Sequence, residues 1–148
     1  MKKPESYQVS LKVLLRNAKG ETLILGALDN GTFAGYYDVP GGRIDTDEFG
    51  VDFVEILKRE IREEIGDVEL EIDPKPVALG RHLSRDLTAE GTRIPVLYIF
   101  FEAAYRGGEV AISHEHTHYR WVKLEEIDLR TYFTSSILEG VQMYLERK

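Results

Sequence analysis

The chain has 148 residues and a mass of 16.9 kDa, with 43% hydrophobic and 30% charged residues. At ~100–200 residues per domain that is one domain's worth of chain, enough to bury a core without covalent staples. The absence of cysteine excludes disulfides, thiolate catalysis and cysteine-based zinc or iron–sulfur centres.

No apolar run reaches the ~18 residues of a membrane span. Met1-Lys2-Lys3-Pro4-Glu5 leads into no signal-peptide core. The expectation is a cytoplasmic protein, a single domain over residues 1–148, with no membrane partner. The net charge is −7, and its location is informative. Between Asp45 and Glu71, 11 acidic residues stand against Lys58, Arg59 and Arg62, a local charge of −8, whereas the rest of the chain is at +1. A field of this sign repels a nucleic-acid backbone, so no nucleic-acid polymer is expected as partner, and it attracts small cations. A solvated acidic helix face would give the same composition.

In chain order, Tyr7 to Arg16 mixes alternation with an apolar run and reads as a strand. Asn17-Ala18-Lys19-Gly20 is a turn and Thr22–Leu25 a second short strand, together a hairpin. Asp29 to Gly42, rich in glycine and aromatics and ending in Pro40-Gly41-Gly42, reads as a loop. A helix is predicted over 52–66, with Asp52 and Glu55 spaced like a capping box and Gly66 as its stop. Pro74 and Pro76 mark a connection. Val77–Leu83 and Ile94–Ala104 read as strands, with Arg106-Gly107-Gly108-Glu109 as a turn. Tyr119–Val122 reads as a last strand and Leu124–Leu129 as a short helical turn. Ser135–Arg147 is a terminal helix with Ile137, Leu138, Val141, Tyr144 and Leu145 on one side. With no repeat, linker or low-complexity segment, the chain reads as one mixed α/β unit.

The helix over 52–66 carries the chemistry. At about 100° per residue, Phe53, Val54, Leu57, Ile61 and Ile65 form the buried stripe, with Glu55, Lys58 and Arg62 opposite. Glu60, Glu63 and Glu64 fall beside that stripe and overlap it. Three carboxylates at i, i+3 and i+4 repel one another, and at the edge of a core the cost rises unless cations or protons neutralise them. Hard divalent ions such as Mg²⁺ or Mn²⁺ take oxygen ligands of this kind.

Pro40-Gly41-Gly42, Glu48 and Arg59-Glu60-Ile61-Arg62-Glu63-Glu64-Ile65-Gly66 resemble the signature box of the Nudix hydrolases. That box reads Gly, five residues, Glu, seven residues, then Arg-Glu-U-x-Glu-Glu-x-Gly-U, where U is a bulky aliphatic residue. Gly42 and Glu48 have its spacing. There are two departures: ten residues separate Glu48 from Arg59, and Asp67 stands at the final aliphatic position. Counting back seven from Arg59 reaches Asp52, a good N-cap, so the helix keeps its register and the extra residues belong to the preceding loop. Glu48 is the box position such a loop can displace. The Gly20 hairpin, Tyr36 and Tyr37 before the Pro-Gly-Gly turn, and the strand bearing Trp121 extend the resemblance along most of the chain.

The resemblance implies an α/β/α sandwich with a mixed β-sheet, and cleavage of a nucleoside diphosphate linked to another group X. It implies a small-molecule nucleotide substrate and Mg²⁺ or Mn²⁺ held by Glu60, Glu63, Glu64 and the Gly42 loop. Arg59, adjacent to Glu60 and so expected to face away from the ligand set, would pair with a carboxylate and orient the helix. Glu115, six residues before Trp121, is placed like the late glutamate that many members bring to the metals, or would act as the base. Oligomeric state is left open, a homodimer included.

Two other readings compete. His114-Glu115-His116-Thr117-His118 satisfies H-E-x-x-H, the zinc-hydrolase pattern, which needs His114 and His118 on one helical face. The strand formers Thr117, Tyr119, Trp121 and Val122 oppose a helix. In a strand the three histidines would share one face and Glu115 the other. The second alternative is a Nudix-fold module that binds nucleotides without cleaving them. Such a module is expected to lack box carboxylates, and all three are present. For the substrate, Arg43 and Arg81 are candidate phosphate contacts, with Arg85 and Arg93 behind them. Phe33, Tyr36 and Tyr37 would either stack a base or pack in the core.

Overall fold

The computed structural model describes residues 2–147. Its centre is β1 (Gln8–Arg16), whose alternation sorts side chains onto two faces of a mixed sheet. Leu11, Val13 and Leu15 enter one buried cluster and Leu14 the other. The partner strand β7 (Arg93–Gly107) does the same: Phe101 and Ala103 join the first cluster, and Val96, Tyr98 and Phe100 the second. This period of two is what a sheet covered on both sides requires.

β1 runs parallel to β7, in register from Gln8 opposite Val96 to Arg16 opposite Ala104. On its other edge it pairs antiparallel with β2 (Thr22–Ala27) across the Asn17–Glu21 turn, and with β4 (Gly41–Arg43). β2 in turn carries β3 (Tyr37–Asp38) and β8 (His116–Val122). The far edge of β7 carries β5 (Glu69–Ile72) and β6 (Ala78–Leu87), both antiparallel.

Helix α1 (Phe53–Ile65) closes the first cluster with Ile56, Leu57, Ile61 and Ile65. Helix α3 (Ser135–Glu146), preceded by the short α2 (Leu129–Tyr132), closes the second with Ile137, Val141 and Tyr144. The layers are helix, mixed sheet, helix, as the resemblance implied. No helix among the described residues is long and apolar enough to cross a membrane.

Several local expectations need correction. The glycine-rich stretch expected as loop contains β3 and β4, because their backbones complete the hydrogen bonding of β2 and β1. β5 was unforeseen, and it holds β7 in strand conformation to Gly107, two residues into the expected turn. β8 begins at His116, earlier than Tyr119. Asp52 occupies the N-cap of α1 but its side chain makes no cap hydrogen bond. Phe53 is 43% exposed, and Ile56 takes its place in the buried stripe. The expected turn over Leu124–Leu129 divides into a 3₁₀ turn at Leu124–Glu126 and α2. Asp67 is exposed, and Val68, one residue later, packs against the α1 core instead.

Candidate active site

Glu64 sits on the sheet-facing side of α1 and is only 5% exposed. Its Oε1 accepts a hydrogen bond of 2.6 Å from the Gly41 N–H. Gly41 has φ 142°, a left-handed conformation that glycine adopts without strain, and it brings the loop backbone against Lys12 and Leu11. A Cβ on Gly42 would overlap the Glu60 carboxylate. The two glycines therefore let the Pro-Gly-Gly loop lie directly on the acidic edge of α1. Burial pushes the Glu64 carboxyl up to about 7, against the pull of the Lys12 charge and the Gly41 N–H. Burial raises Glu60 as well, and the Glu63 charge adds to it while Arg59 opposes both.

Arg59 organises the outer side of this edge. Its guanidinium lies 2.7 Å from Glu48 Oε2, 3.1 Å from Glu60 Oε1 and 3.3 Å from Glu63 Oε2. Pairing with a carboxylate is as expected, but the side chain is long enough to reach Glu60 as well, contrary to the expectation that it would face away. Glu48 lies against Arg59, its side chain 13% exposed, rather than out in solvent. Its Oε1 accepts from the Asp45 N–H at 2.9 Å, and that bond together with Arg59 holds its carboxyl below the usual range. The extra residues bulge outward instead, leaving Phe49 97% exposed.

The cleft beside Glu64 is lined by Ser10, Lys12, Phe33, Asp38, Arg43, Tyr98, Glu115 and His116 among others. Lys12 Nζ lies 3.1 Å from Asp38 Oδ1 and donates to the Val39 carbonyl at 3.2 Å. Burial is the largest single influence and would lower the Lys12 ammonium, but Asp38, Tyr98 and Glu64 together outweigh it and the net shift is upward. For Asp38, burial is outweighed by Lys12, His116 and the Val39 N–H, and its carboxyl is lowered. Lys12, Asp38 and His116 were not singled out as site residues. A lysine inside the apolar run Val9-Ser10-Leu11-Lys12-Val13-Leu14 was the signal, since a central strand buries both faces.

The remaining candidates separate. Glu115 lies in the turn before β8 and lines the cleft together with His116, so strand alternation does not divide them. Only His116 points inward. His114 is exposed, and His118 accepts or donates at 2.8 Å with the Tyr37 hydroxyl. Neither His114 nor His118 lies on a helix, which removes the geometry of the zinc-hydrolase pattern. Glu63 is the most exposed of the three helix glutamates, paired with Arg59. Phe33 is packed in the core, edge-on to Tyr98 and His82. Arg43 lines the cleft and bonds Gln8 and Asp86 at 2.9 Å, whereas Arg81 bonds the Tyr7 hydroxyl in a separate hollow. Arg43→Ala is therefore expected to raise KM for an anionic substrate several-fold, and Arg81→Ala to leave it unchanged; steady-state kinetics on both variants checks this.

Among the described residues no group of three or more His, Asp or Glu side chains converges into a ready metal shell. The donors nevertheless fit a hard divalent cation. Glu60 and Glu64 are adjacent on one helix edge, withdrawn from water and disfavoured as free charges. The glycine loop covers them without side-chain bulk.

A mixed sheet between helices, with a glutamate-edged helix under a Pro-Gly-Gly loop, is the architecture of the Nudix hydrolases. The family model described as NUDIX domain matches residues 6–140, and the chain belongs to that family. It is a Nudix-type pyrophosphohydrolase, an enzyme acting on acid anhydrides. Nucleoside triphosphatase NudI of Escherichia coli K12 is 31% identical over 116 residues, covering 77% of this chain and 80% of that protein. A MutT protein from Methanosarcina mazei Go1 superposes with TM-score 0.71 at 27% identity, over 97% of this chain and 96% of its own. The Escherichia coli ORF135 protein shares the fold, with TM-score 0.70 at 19% identity over 95% and 90% of the two chains.

Proposed function

We propose that the protein hydrolyses the pyrophosphate linkage of a nucleoside diphosphate linked to another group X, with Mg²⁺ or Mn²⁺ held by Glu60, Glu63 and Glu64 beside Gly42. The observation that carries this reading is the placement of Glu64, a buried carboxylate fixed by the Gly41 N–H at the wall of a cleft. A pyrophosphate is an anion, and an acidic cleft alone would repel it. Divalent ions held by these carboxylates would reverse the local sign, polarise phosphoryl oxygens and lower the pKa of a bound water.

The chain's own groups do the rest. Arg43, at the cleft, receives phosphate charge. The Arg59 guanidinium, held by Glu48, fixes the rotamers of Glu60 and Glu63. Glu115 stands at the rim with its backbone N–H 3.3 Å from Ser113 Oγ and its carboxylate without a cation partner among the described residues, which suits proton acceptance. Glu115→Gln is expected to lower kcat by about tenfold or more, in the range of lost general-base catalysis, while His114→Ala leaves metal dependence unchanged. Equal kcat for Glu115→Gln and wild type would remove Glu115 from the reaction.

Nucleoside triphosphates are the first substrates to test, given the similarity to NudI. Nucleotide sugars, damaged nucleotides and dinucleoside polyphosphates complete the panel. Each is incubated with Mg²⁺ or Mn²⁺, then with chelator, and the products are separated by chromatography. Turnover that stops with chelator supports the reading. Nucleotide binding without product on the whole panel favours a binding module.

A further inference from the structure

His116 stands between two carboxylates on the floor of the cleft. Its Nδ1 is 3.8 Å from Glu64 Oε2 and its Nε2 is 3.8 Å from Asp38 Oδ2, with the side chain only 6% exposed. Neither separation is a hydrogen bond. Nδ1 is buried and has no hydrogen-bond partner. A buried polar atom left in that state is disfavoured, and in native proteins it calls for a water or an ion. The Glu64 oxygen it faces is the one that Gly41 does not use.

A distance of 3.8 Å is long for a hydrogen bond, but it suits two donors of one ion. Ligands bound at about 2.0–2.2 Å lie roughly 3–4 Å apart, depending on the angle between them. The opposite ring nitrogen faces Asp38, which Lys12 holds in place at 3.1 Å. Metal-ligating histidines characteristically direct their second ring nitrogen at a carboxylate, which fixes tautomer and ring plane. Lys12, Asp38, His116 and Glu64 thus form a row that ends at the acidic edge of α1.

We infer that His116 Nδ1 is a nitrogen ligand to a divalent ion shared with Glu64, with Asp38 and Lys12 as its positioning residues. This rests on the metal-dependent reading above and deepens it. An imidazole among carboxylates shifts preference from Mg²⁺, which favours oxygen, toward Mn²⁺ and other transition ions. Phosphate substrates would be processed on a mixed nitrogen–oxygen site.

The test is pulsed electron paramagnetic resonance of the protein loaded with Mn²⁺, together with calorimetric titration of Mn²⁺ and Mg²⁺. Histidine nitrogen modulation is expected in the wild type and in His118→Ala, and is lost in His116→Ala. Mn²⁺ affinity should fall about tenfold or more in His116→Ala, on the scale of a disrupted ligand shell, with a smaller change for Mg²⁺. Bound Mn²⁺ without nitrogen modulation in the wild type overturns the inference and leaves metal-dependent hydrolysis standing. A wild type that binds neither ion overturns both. The wild-type spectrum decides even if His116→Ala does not fold.

Discussion

Glu64→Gln is expected to lower turnover by about a hundredfold or more, on the scale of a lost catalytic group, while raising the stability of the metal-free protein at neutral pH. The two effects share one cause. Glu64 is buried, and burial pushes its carboxyl from 4.5 up to about 7. A group that holds its proton more tightly in the fold gives stability that is full below its unfolded value and lost as pH rises through the folded one. Metal-free wild type should therefore lose stability between about pH 4.5 and 7 from this group. At about 1.4 kcal/mol per unit, the loss is on the order of 3 kcal/mol at most. Glutamine keeps an oxygen for the Gly41 N–H and carries no charge, so the variant escapes that loss. In chelator the two proteins should melt together near pH 4 and diverge by pH 8, with the variant higher. Adding Mg²⁺ or Mn²⁺ should narrow or reverse the gap, since an ion that binds only the folded state stabilises it by mass action. A variant with near-wild-type rates would refute the catalytic assignment of α1. A melting difference that does not change with pH would refute the burial of a charge there.

The parts of the fold that could be read from sequence are those with a local signal. β1, β2, β6, β7, α1 and α3 each carry a period of two or of 3.6, or a stop such as Gly66. β3, β4 and β5 carry none. Tyr37–Asp38 is two residues long and becomes a strand because β2 offers it an unpaired edge. Glu69–Ile72 becomes one because β7 extends past the end of β6. The site divides in the same way. Glu60, Glu63 and Glu64 are neighbours on one helix, and their spacing alone placed them on an edge. Arg59 and Glu48 were half-legible: the sequence leads one to expect Arg59 to pair with a carboxylate, but only the folded loop shows that Glu48 is one of its partners and that the extra residues project outward at Phe49. Lys12, Asp38 and His116 meet from strands distant in sequence, and only tertiary structure brings them to one cleft. His116 was visible merely as one histidine of three. The bulge in pairing between β2 and β8 near Leu25 and Ala27 breaks the simple alternation that would have grouped it with His118, and His114 lies in the turn before β8.

Lys12→Met should be among the most destabilising single substitutions in the chain. Lys12 and Asp38 are both withdrawn from water and lie 3.1 Å apart. Desolvating two ions costs several kcal/mol for each, so their attraction offsets a penalty rather than adding a surplus. Removing the ammonium leaves Asp38 as a buried, uncompensated carboxylate, which costs about 3–5 kcal/mol. For a chain of this length the melting temperature should fall by roughly 6–20 °C, at about 2–4 °C per kcal/mol. The deficit should shrink in acid, because the unpaired Asp38 carboxyl, no longer held down by Lys12, takes up a proton at higher pH than before. The double variant Lys12→Met/Asp38→Leu should regain most of the lost stability, and the non-additivity measures the coupling of the pair. If the double variant melted as low as Lys12→Met, lost packing rather than lost charge pairing would explain the single change. Restored stability should not restore activity. Asp38 faces His116 and Lys12 holds Asp38, so an apolar pair would leave the imbalance of charge solved and the imidazole unoriented. An ion pair with little net value to stability is then retained for what it positions at the acidic edge of α1.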